Sequence, residues 1–199
     1  MDDQAVTARE GAGTGRGRGR LANLAVMGIT AAVIAAVAIM ANQPPSGVQA
    51  ITTTGGASGD PPEVGKPAPD FLARTIDGKT IKISELTGQA VWLTFGATWC
   101  QPCRAENPDI EATYQKFSGQ GLAVVAVYIG EDDRTVADYT DRVRLTYPRI
   151  ADSQTRIASQ YRILGIPSHF FVDRTGVLRE MRIGAMDLPA MEAAVKKIL

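Results

Sequence analysis

The sequence predicts an α/β fold in which helices cover both faces of a central sheet, and two patterns carry this prediction. Two near-continuous apolar runs, 90–95 and 122–129, are typical of strands that are buried on both faces. A segment with helical character follows each run, and a strand–turn–strand pattern and a last helix come after them. Two strand–helix–strand units followed by a hairpin and a helix indicate an α/β sheet.

The amino-acid composition argues against several classes of protein. The chain has 199 residues, is 45% hydrophobic and 21% charged, and carries a net charge of zero, so nothing favours nucleic acid or an acidic substrate. Its 2 cysteines and 1 histidine are too few for a disulfide-stapled scaffold or a closed zinc site. We therefore expect neither a metal nor a cofactor.

The amino-terminal part predicts a membrane anchor. Residues 1–20 are polar and rich in Gly and Arg, and should form a disordered cytoplasmic tail; an RNA-binding tail is the alternative interpretation. Residues 21–41 contain no charged residue and would span about 30 Å as a helix, which matches the hydrocarbon core of a membrane. A cleaved signal peptide is the rival hypothesis, although this apolar run is longer than the usual signal sequence.

The charges around residues 21–41 predict orientation. Arg16, Arg18 and Arg20 precede this stretch, and no Lys or Arg follows until Lys66. By the positive-inside rule the amino terminus stays in the cytoplasm and the rest lies on the outer, periplasmic or extracytoplasmic, side. Residues 42–63 are rich in Pro, Gly, Ser and Thr and are interpreted as a flexible linker, which leaves 64–199 as the folded domain.

Each element of this domain has its own signal. Residues 71–75 and 80–83 flank Asp77-Gly78 and predict a hairpin, followed by a short turn and the buried strand 90–95. The later elements follow from periodicity and turn residues. They are a helix over 101–117, a strand over 122–129, helices over 132–145 and 155–161, strands at 170–172 and 177–183, and a helix over 187–199.

The chemistry centres on Trp99-Cys100-Gln101-Pro102-Cys103, which follows a buried strand and opens a helix. Backbone N–H groups and the helix dipole favour a thiolate there. Cys100, at the exposed helix start, is predicted to attack a substrate disulfide; Cys103, one turn inside and more buried, would resolve the mixed disulfide. Pro102 restricts the loop and should influence the reduction potential. The other interpretations are an inert disulfide, whose short ring would stabilise little, and half of a metal site.

These residues resemble the thioredoxin active site, and closely resemble the TlpA/ResA-like branch of membrane-tethered bacterial thioredoxins. The resemblance covers about 64–199 and implies a thioredoxin-like fold, a central mixed sheet flanked by helices, with an N-terminal hairpin and an inserted helix within 130–147. It is carried by three stretches: Val64-Gly65-Lys66-Pro67-Ala68-Pro69-Asp70-Phe71, Trp99 to Cys103, and Gly165-Ile166-Pro167-Ser168 before Phe170-Phe171-Val172.

The resemblance also implies roles for single residues. Pro167 corresponds to a cis proline that faces the dithiol and offers backbone groups to a substrate peptide. Pro108 corresponds to a helix-kinking proline. Glu106 corresponds to an acidic residue that relays protons or holds up thiol pKa values. Trp99, Gln101 and Pro102 shape or tune the site. From the residues alone, Pro167 merely begins a strand, Pro108 merely kinks a helix and Glu106 is equally a solvated glutamate.

Three positions depart from the family pattern. Thr94 stands where thioredoxin has a buried Asp six residues before the first cysteine, so no acid–base role carries over to it. Gly96 stands where relatives often have Trp, and we expect a pocket to open there beside the dithiol. His169 lies two residues after Pro167, and a lone histidine in a strand more often packs than reacts.

The leading hypothesis is a membrane-anchored enzyme that reduces disulfides in exported proteins, with electrons from a membrane-embedded thiol donor. In the resembled branch the target is often apocytochrome c. The reverse role, a disulfide-forming oxidant, uses the same fold at a different reduction potential. A peroxiredoxin also has the Pro-Asp-Phe opening, but it carries Thr three residues before its cysteine, where this chain has Ala97. A tethered copper carrier is the non-enzymatic alternative, with His169 as its one imidazole.

Overall fold

The computed structural model describes residues 34–35, 52–53 and 61–199. The chain divides into two compact units, 1–48 and 49–199. Of the first unit only Ile34 and Ala35 are described, and both are helical. Apart from these two residues, the predicted tail and anchor lie outside the described residues, and so does most of the predicted linker. No helix within the described ranges is long and apolar enough to cross a membrane.

Residues 49–199 contain two sheets and four α-helices among the described residues. The strands are β1 (Thr52–Thr53), β2 (Phe71–Arg74), β3 (Thr80–Lys82), β4 (Ala90–Gly96), β5 (Leu122–Ile129), β6 (Arg149–Asp152), β7 (Ser168–Val172) and β8 (Leu178–Ile183). The helices are α1 (Gln101–Phe117), α2 (Asp133–Arg142), α3 (Arg156–Gln160) and α4 (Leu188–Lys196).

The central sheet has the order β6-β5-β4-β7-β8 and is mixed. Strand β5 is parallel to both β4 and β6, whereas β7 is antiparallel to both β4 and β8. The predicted hairpin forms the small antiparallel sheet β1-β2-β3, and Gly78 takes a positive φ of 85° in its turn. This arrangement confirms the predicted thioredoxin-like α/β fold for the described domain.

Strand β4 separates two apolar cores because its side chains alternate between the two faces of the sheet. Trp92 packs in the core that includes Ile110 of α1 and Met191 of α4. Leu93 and Phe95 point to the opposite core, built with β2 and α3. Helices thus cover both faces, as predicted, and α1 is held against the face that carries Trp92, Thr94 and Gly96.

The differences from the predicted elements have local causes. Strand β6 was not predicted, because it is only four residues long and begins and ends with a charged residue. Asp152 of β6 is fully buried, and its carboxylate accepts the N–H groups of Arg156 and Ala158 at 2.8 and 2.9 Å. Helix α2 ends at Arg142, three residues before the predicted end, and Arg144 just after it has a positive φ of 59°.

Candidate active site

The two cysteines lie where β4 ends and α1 begins. Cys100 is the N-cap residue of α1, and its Sγ accepts the backbone N–H of Cys103 at 3.2 Å. Pro102 occupies the first turn of the helix, where a missing N–H costs nothing because that donor would have no partner within the helix. The local sequence therefore places one sulfur directly at the positive end of a 17-residue helix.

Cys100 and Cys103 are joined by a disulfide, with their Cα atoms 5.3 Å apart. The structure thus represents the oxidised form of the pair. The two residues are equally buried, at 5% and 6% exposure, so the prediction that Cys103 is the more buried one is wrong for this form. The reason is that Sγ of Cys100 turns back over the helix end, where Ala97 and Ile166 pack against the pair.

The residues next to the two cysteines in the sequence are exposed to solvent, whereas the cysteines are buried. Trp99 is 70% exposed, and Gln101 and Pro102 are exposed as well. The peptide bond between Ile166 and Pro167 is cis, and Ile166 packs on the disulfide. The carbonyl oxygen of Pro167 accepts the N–H of Gly184 at 2.8 Å. The buried disulfide is therefore bordered by exposed side chains of its own motif and by the segment at Ile166.

Gly96 lies against the second cysteine. A Cβ atom added at Gly96 would be 3.3 Å from Cβ and 3.4 Å from Sγ of Cys103. The prediction of a pocket at Gly96 is therefore wrong, because Cys103 occupies the space next to this glycine. Thr94, two residues earlier on the same face of β4, is buried and pairs across the ladder with His169.

Glu106 is buried under the dithiol helix, at 3% exposure, so its interpretation as a solvated glutamate is wrong. Its Oε2 accepts the backbone N–H of Met186 at 3.1 Å, and its Oε1 lies 3.4 Å from Nε2 of His169. His169 is fully buried as well, and its Nδ1 accepts the indole N–H of Trp92 at 3.3 Å. A polar chain of three side chains thus runs through the core beside α1. Pro108 lies inside the same helix.

A second carboxylate, which was not predicted from the sequence, binds the loop before the dithiol. Glu131, which is 9% exposed, accepts the backbone N–H of Thr98 at 2.8 Å and also the hydroxyl of Thr98. Glu131 follows β5 as Thr98 follows β4, and these two strands are adjacent and parallel. Polar residues just after two neighbouring parallel strands are the signal that could have identified this pair.

Tyr128 and Tyr139 lie near Asn107 of α1. Burial raises the pKa of Tyr128 well above its usual value, and the neighbouring Tyr139 adds to the effect. The hydroxyl of Tyr139 accepts the side-chain N–H of Asn107 on α1 at 2.8 Å. Within the described residues, no group of three or more His, Cys, Asp or Glu side chains is arranged to hold a metal ion.

Comparisons with known proteins find similar sequences and similar solved structures. Residues 64–181 match the model of the AhpC/TSA family. The chain is 32% identical over 136 residues to thiol-disulfide oxidoreductase ResA of Bacillus thuringiensis (strain Al Hakam), covering 68% of this chain and 79% of that protein.

Solved structures of related proteins are similar to this chain as well. One is a thiol:disulfide interchange protein of the thioredoxin family from Chlorobium tepidum TLS, with a TM-score of 0.62 and 28% identity over 71% of this chain and 98% of that one. Another is StoA from Bacillus subtilis, with a TM-score of 0.57 and 29% identity over 65% of this chain and 97% of that one. Both are similar to this chain across the part that contains the dithiol.

Proposed function

Since this chain belongs to the AhpC/TSA family and is a ResA-like thiol-disulfide oxidoreductase of thioredoxin fold, we propose that it reduces disulfides in exported proteins. The observation that carries the proposal is the Cys100–Cys103 disulfide at the N-terminus of α1, flanked by the cis peptide before Pro167. A pair of cysteines in this place can cycle between disulfide and dithiol without any cofactor.

The proposed reaction has two exchange steps. The thiolate of Cys100 attacks one sulfur of the substrate disulfide, forms a mixed disulfide and expels the other substrate sulfur as a thiolate, which takes a proton. The thiolate of Cys103 then attacks Sγ of Cys100 and expels the second substrate thiolate. The substrate gains two electrons and two protons, and the enzyme ends as the disulfide. The N–H of Cys103, already directed at Sγ of Cys100, stabilises the attacking thiolate.

We assign the other site residues to shaping or tuning this reaction. Trp99 and Gln101 form the exposed rim that meets the substrate, and Pro102 stiffens the motif. Pro167 shapes the segment beside the sulfurs. Glu106 sits one helical turn after Cys103, and a buried carboxylate there disfavours the thiolates of the reduced form. Destabilised thiolates make the dithiol a stronger reductant, which is the direction that the proposal requires.

The proposed location is the outer side of the cytoplasmic membrane, with residues 21–41 as a single-pass anchor and 42–63 as a flexible linker. The uncharged length of 21–41 and the arginines before it support this arrangement. Partners of such an enzyme are disulfide-containing exported proteins and a membrane-embedded thiol donor that returns electrons to the Cys100–Cys103 disulfide. Apocytochrome c is the proposed substrate class, because its Cys-x-x-Cys-His segment must carry free thiols to receive haem.

A trapping experiment tests the proposal. Cys103→Ser leaves the attacking thiol but removes the resolving one, so it should accumulate a mixed disulfide with a peptide that carries an oxidised Cys-x-x-Cys-His segment. Cys100→Ser is the matched control and should trap nothing. Equal trapping by the two variants, or none by either, would refute the assignment of roles.

The rival functions give different results in the same preparation. An oxidant would oxidise the reduced peptide faster than it reduces the oxidised one. A peroxiredoxin would consume hydrogen peroxide with the dithiol as electron source. A copper carrier would retain copper stoichiometrically in the reduced state.

A further inference from the structure

The buried chain Trp92–His169–Glu106 has only one consistent arrangement of hydrogens. The indole nitrogen of Trp92 can only donate, so Nδ1 of His169, 3.3 Å away, must accept and carries no hydrogen. The hydrogen of the neutral imidazole is therefore on Nε2. Within the described part of the chain, Nε2 has no hydrogen-bond partner of its own, and the carboxylate oxygen Oε1 of Glu106 lies 3.4 Å from it.

The two donors around Glu106 favour its charged carboxylate form. One of its oxygens faces Nε2–H of His169, and the other accepts the N–H of Met186. A carboxylate can accept from both donors, and it carries no hydrogen that would need a buried partner of its own. A doubly protonated His169 would likewise set an N–H against the indole N–H of Trp92. This arrangement places one hydrogen on Nε2 of His169 and one negative charge on Glu106.

This charge lies on the same side of α1 as the resolving sulfur. Cys103 and Glu106 are three residues apart, so they are neighbours on one helix face. That face packs on the sheet: Cys103 lies against Gly96, and Glu106 lies against His169, whose ladder partner Thr94 is two residues before Gly96. Strand β7 thus delivers the group that contacts Glu106, and β4 delivers Trp92, which orients that group.

We propose that His169 is a positioning residue for the dithiol–disulfide reaction: Trp92 fixes its tautomer, and its Nε2–H holds the Glu106 carboxylate one helical turn after Cys103. This inference rests on the proposed function and deepens it. The held charge disfavours the thiolates of the reduced form and so keeps the pair reducing. His169 touches no sulfur in this scheme and acts only through Glu106.

The charged residue opposite His169 in the sheet already has an ion-pair partner. Arg182 lies opposite His169 on β8, but its side chain is bound to Glu180, which also binds Lys197. Burial raises the pKa of Tyr147, and nearby charges that include Glu106 raise it further, so this phenol stays neutral. The pH dependence of alkylation at Cys100 therefore reports mainly the ionisation of the sulfurs.

Two amide substitutions at His169 give a matched test in the full-length protein. In His169→Asn the shorter amide reaches the position of Nδ1, so it can bond to Trp92 but not to Glu106. In His169→Gln the longer amide reaches the position of Nε2 and can donate to Glu106. Neither side chain titrates. The readouts are the midpoint pH of Cys100 alkylation by iodoacetamide and the equilibrium constant with glutathione.

We expect His169→Asn to lower the alkylation midpoint by about one pH unit, because Glu106 loses the donor that holds its charge one turn after Cys103. The glutathione equilibrium should move roughly tenfold toward the dithiol, which corresponds to a potential about 30 mV less negative. His169→Gln should stay within about threefold of the wild type. Trp92→Phe, which frees the tautomer, should shift both readouts in the same direction as His169→Asn and provides a second variant if His169→Asn does not fold.

Measurements in a Glu106→Gln background show whether a negative result contradicts the positioning role of His169 or the proposed function. There, His169→Asn should change nothing further, because its effect passes through the carboxylate. If Glu106→Gln shifts both readouts but His169→Asn and Trp92→Phe do not, or if the effects simply add, the positioning role is refuted. If the wild type cycles reversibly and Glu106→Gln has no effect, the inference fails while the oxidoreductase stands. If the wild type shows no reversible transition, the proposed function itself fails.

Discussion

Gly96 and Cys103 are in such close contact that a Cβ atom at Gly96 would lie only 3.3 Å from Cβ of Cys103. This contact ties the end of β4 to the first turn of α1, the two elements that present the dithiol. The absence of a side chain at Gly96 therefore lets the helix approach the sheet. It creates no open pocket.

The substitution Gly96→Ala should test this contact. We expect a loss of about 1–2 kcal/mol in the free energy of unfolding of the oxidised protein, because Cys103 must move within a packed core. Urea denaturation followed by circular dichroism measures it. Gly119→Ala is the matched control, since a Cβ there meets no atom within 4 Å. A Gly96→Ala protein as stable as this control would mean that the helix can shift freely.

Glu131 should control the order of the loop that leads to Cys100. Glu131→Ala removes both bonds to Thr98, and we expect a loss of about 2 kcal/mol in the free energy of unfolding and faster hydrogen exchange at the Thr98 amide. Glu131→Gln should keep most of the stability, because its amide oxygen can accept the N–H and its amide hydrogen can reach the hydroxyl. Exchange measured by NMR distinguishes the two, and identical exchange in both variants would contradict this role.

Trp99 should matter for substrates and hardly for folding. Its side chain is 70% exposed, so Trp99→Ala should change the free energy of unfolding by less than about 0.5 kcal/mol. The KM for a protein disulfide should rise several-fold, because an exposed aromatic side chain beside Cys100 offers apolar contact to a polypeptide. Reduction of the enzyme by dithiothreitol serves as the control and should proceed at the wild-type rate. An unchanged KM would remove Trp99 from the docking surface.

Asp173 gives the domain a defined acid sensitivity. Burial raises its pKa, but hydrogen bonds from Thr175, Arg179 and Val177 outweigh this and lower it to about 2. A carboxylate with a depressed folded-state pKa stabilises the fold above its unfolded pKa of about 4, and the stabilisation disappears as the pH falls from about 4 to about 2.

Asp173→Asn should therefore cost about 1–2 kcal/mol at neutral pH, a figure reduced for solvent screening at this surface turn, and should differ little from the wild type at about pH 2. Urea denaturation at a series of pH values measures both. A mutant that keeps the full wild-type slope between about pH 4 and pH 2 would show that another carboxylate is responsible.

The sequence was informative wherever structure depends on neighbours in the chain. The apolar runs of β4 and β5 and the cysteine pair at the start of α1 are local patterns, and the fold follows from their order. Strand β6 was missed because a short strand with a charged residue at each end has no such pattern. The burial of Glu106 was predictable in principle, since Cys103, Glu106 and Ile110 share one helix face.

The partners of the buried polar groups were not predictable from one sequence. Trp92 and His169 are 77 residues apart, and Met186 is 80 residues from Glu106. Such contacts depend on the register of β4 against β7 and on how α1 lies across the sheet. The sequence identified Glu106 and His169 as candidates but gave no reason to connect them, and the equal burial of the two cysteines arises from the way Sγ of Cys100 folds back over α1.

The most direct test of the central claim is an equilibrium redox titration of the purified protein, following Trp99 fluorescence, since Trp99 adjoins the disulfide. A reductant of exported proteins should show one reversible two-electron transition near the roughly −270 mV of thioredoxin. A reversible transition near roughly −120 mV would contradict the account by making the protein an oxidant, and the absence of any reversible transition would contradict the exchange chemistry of Cys100 and Cys103 altogether.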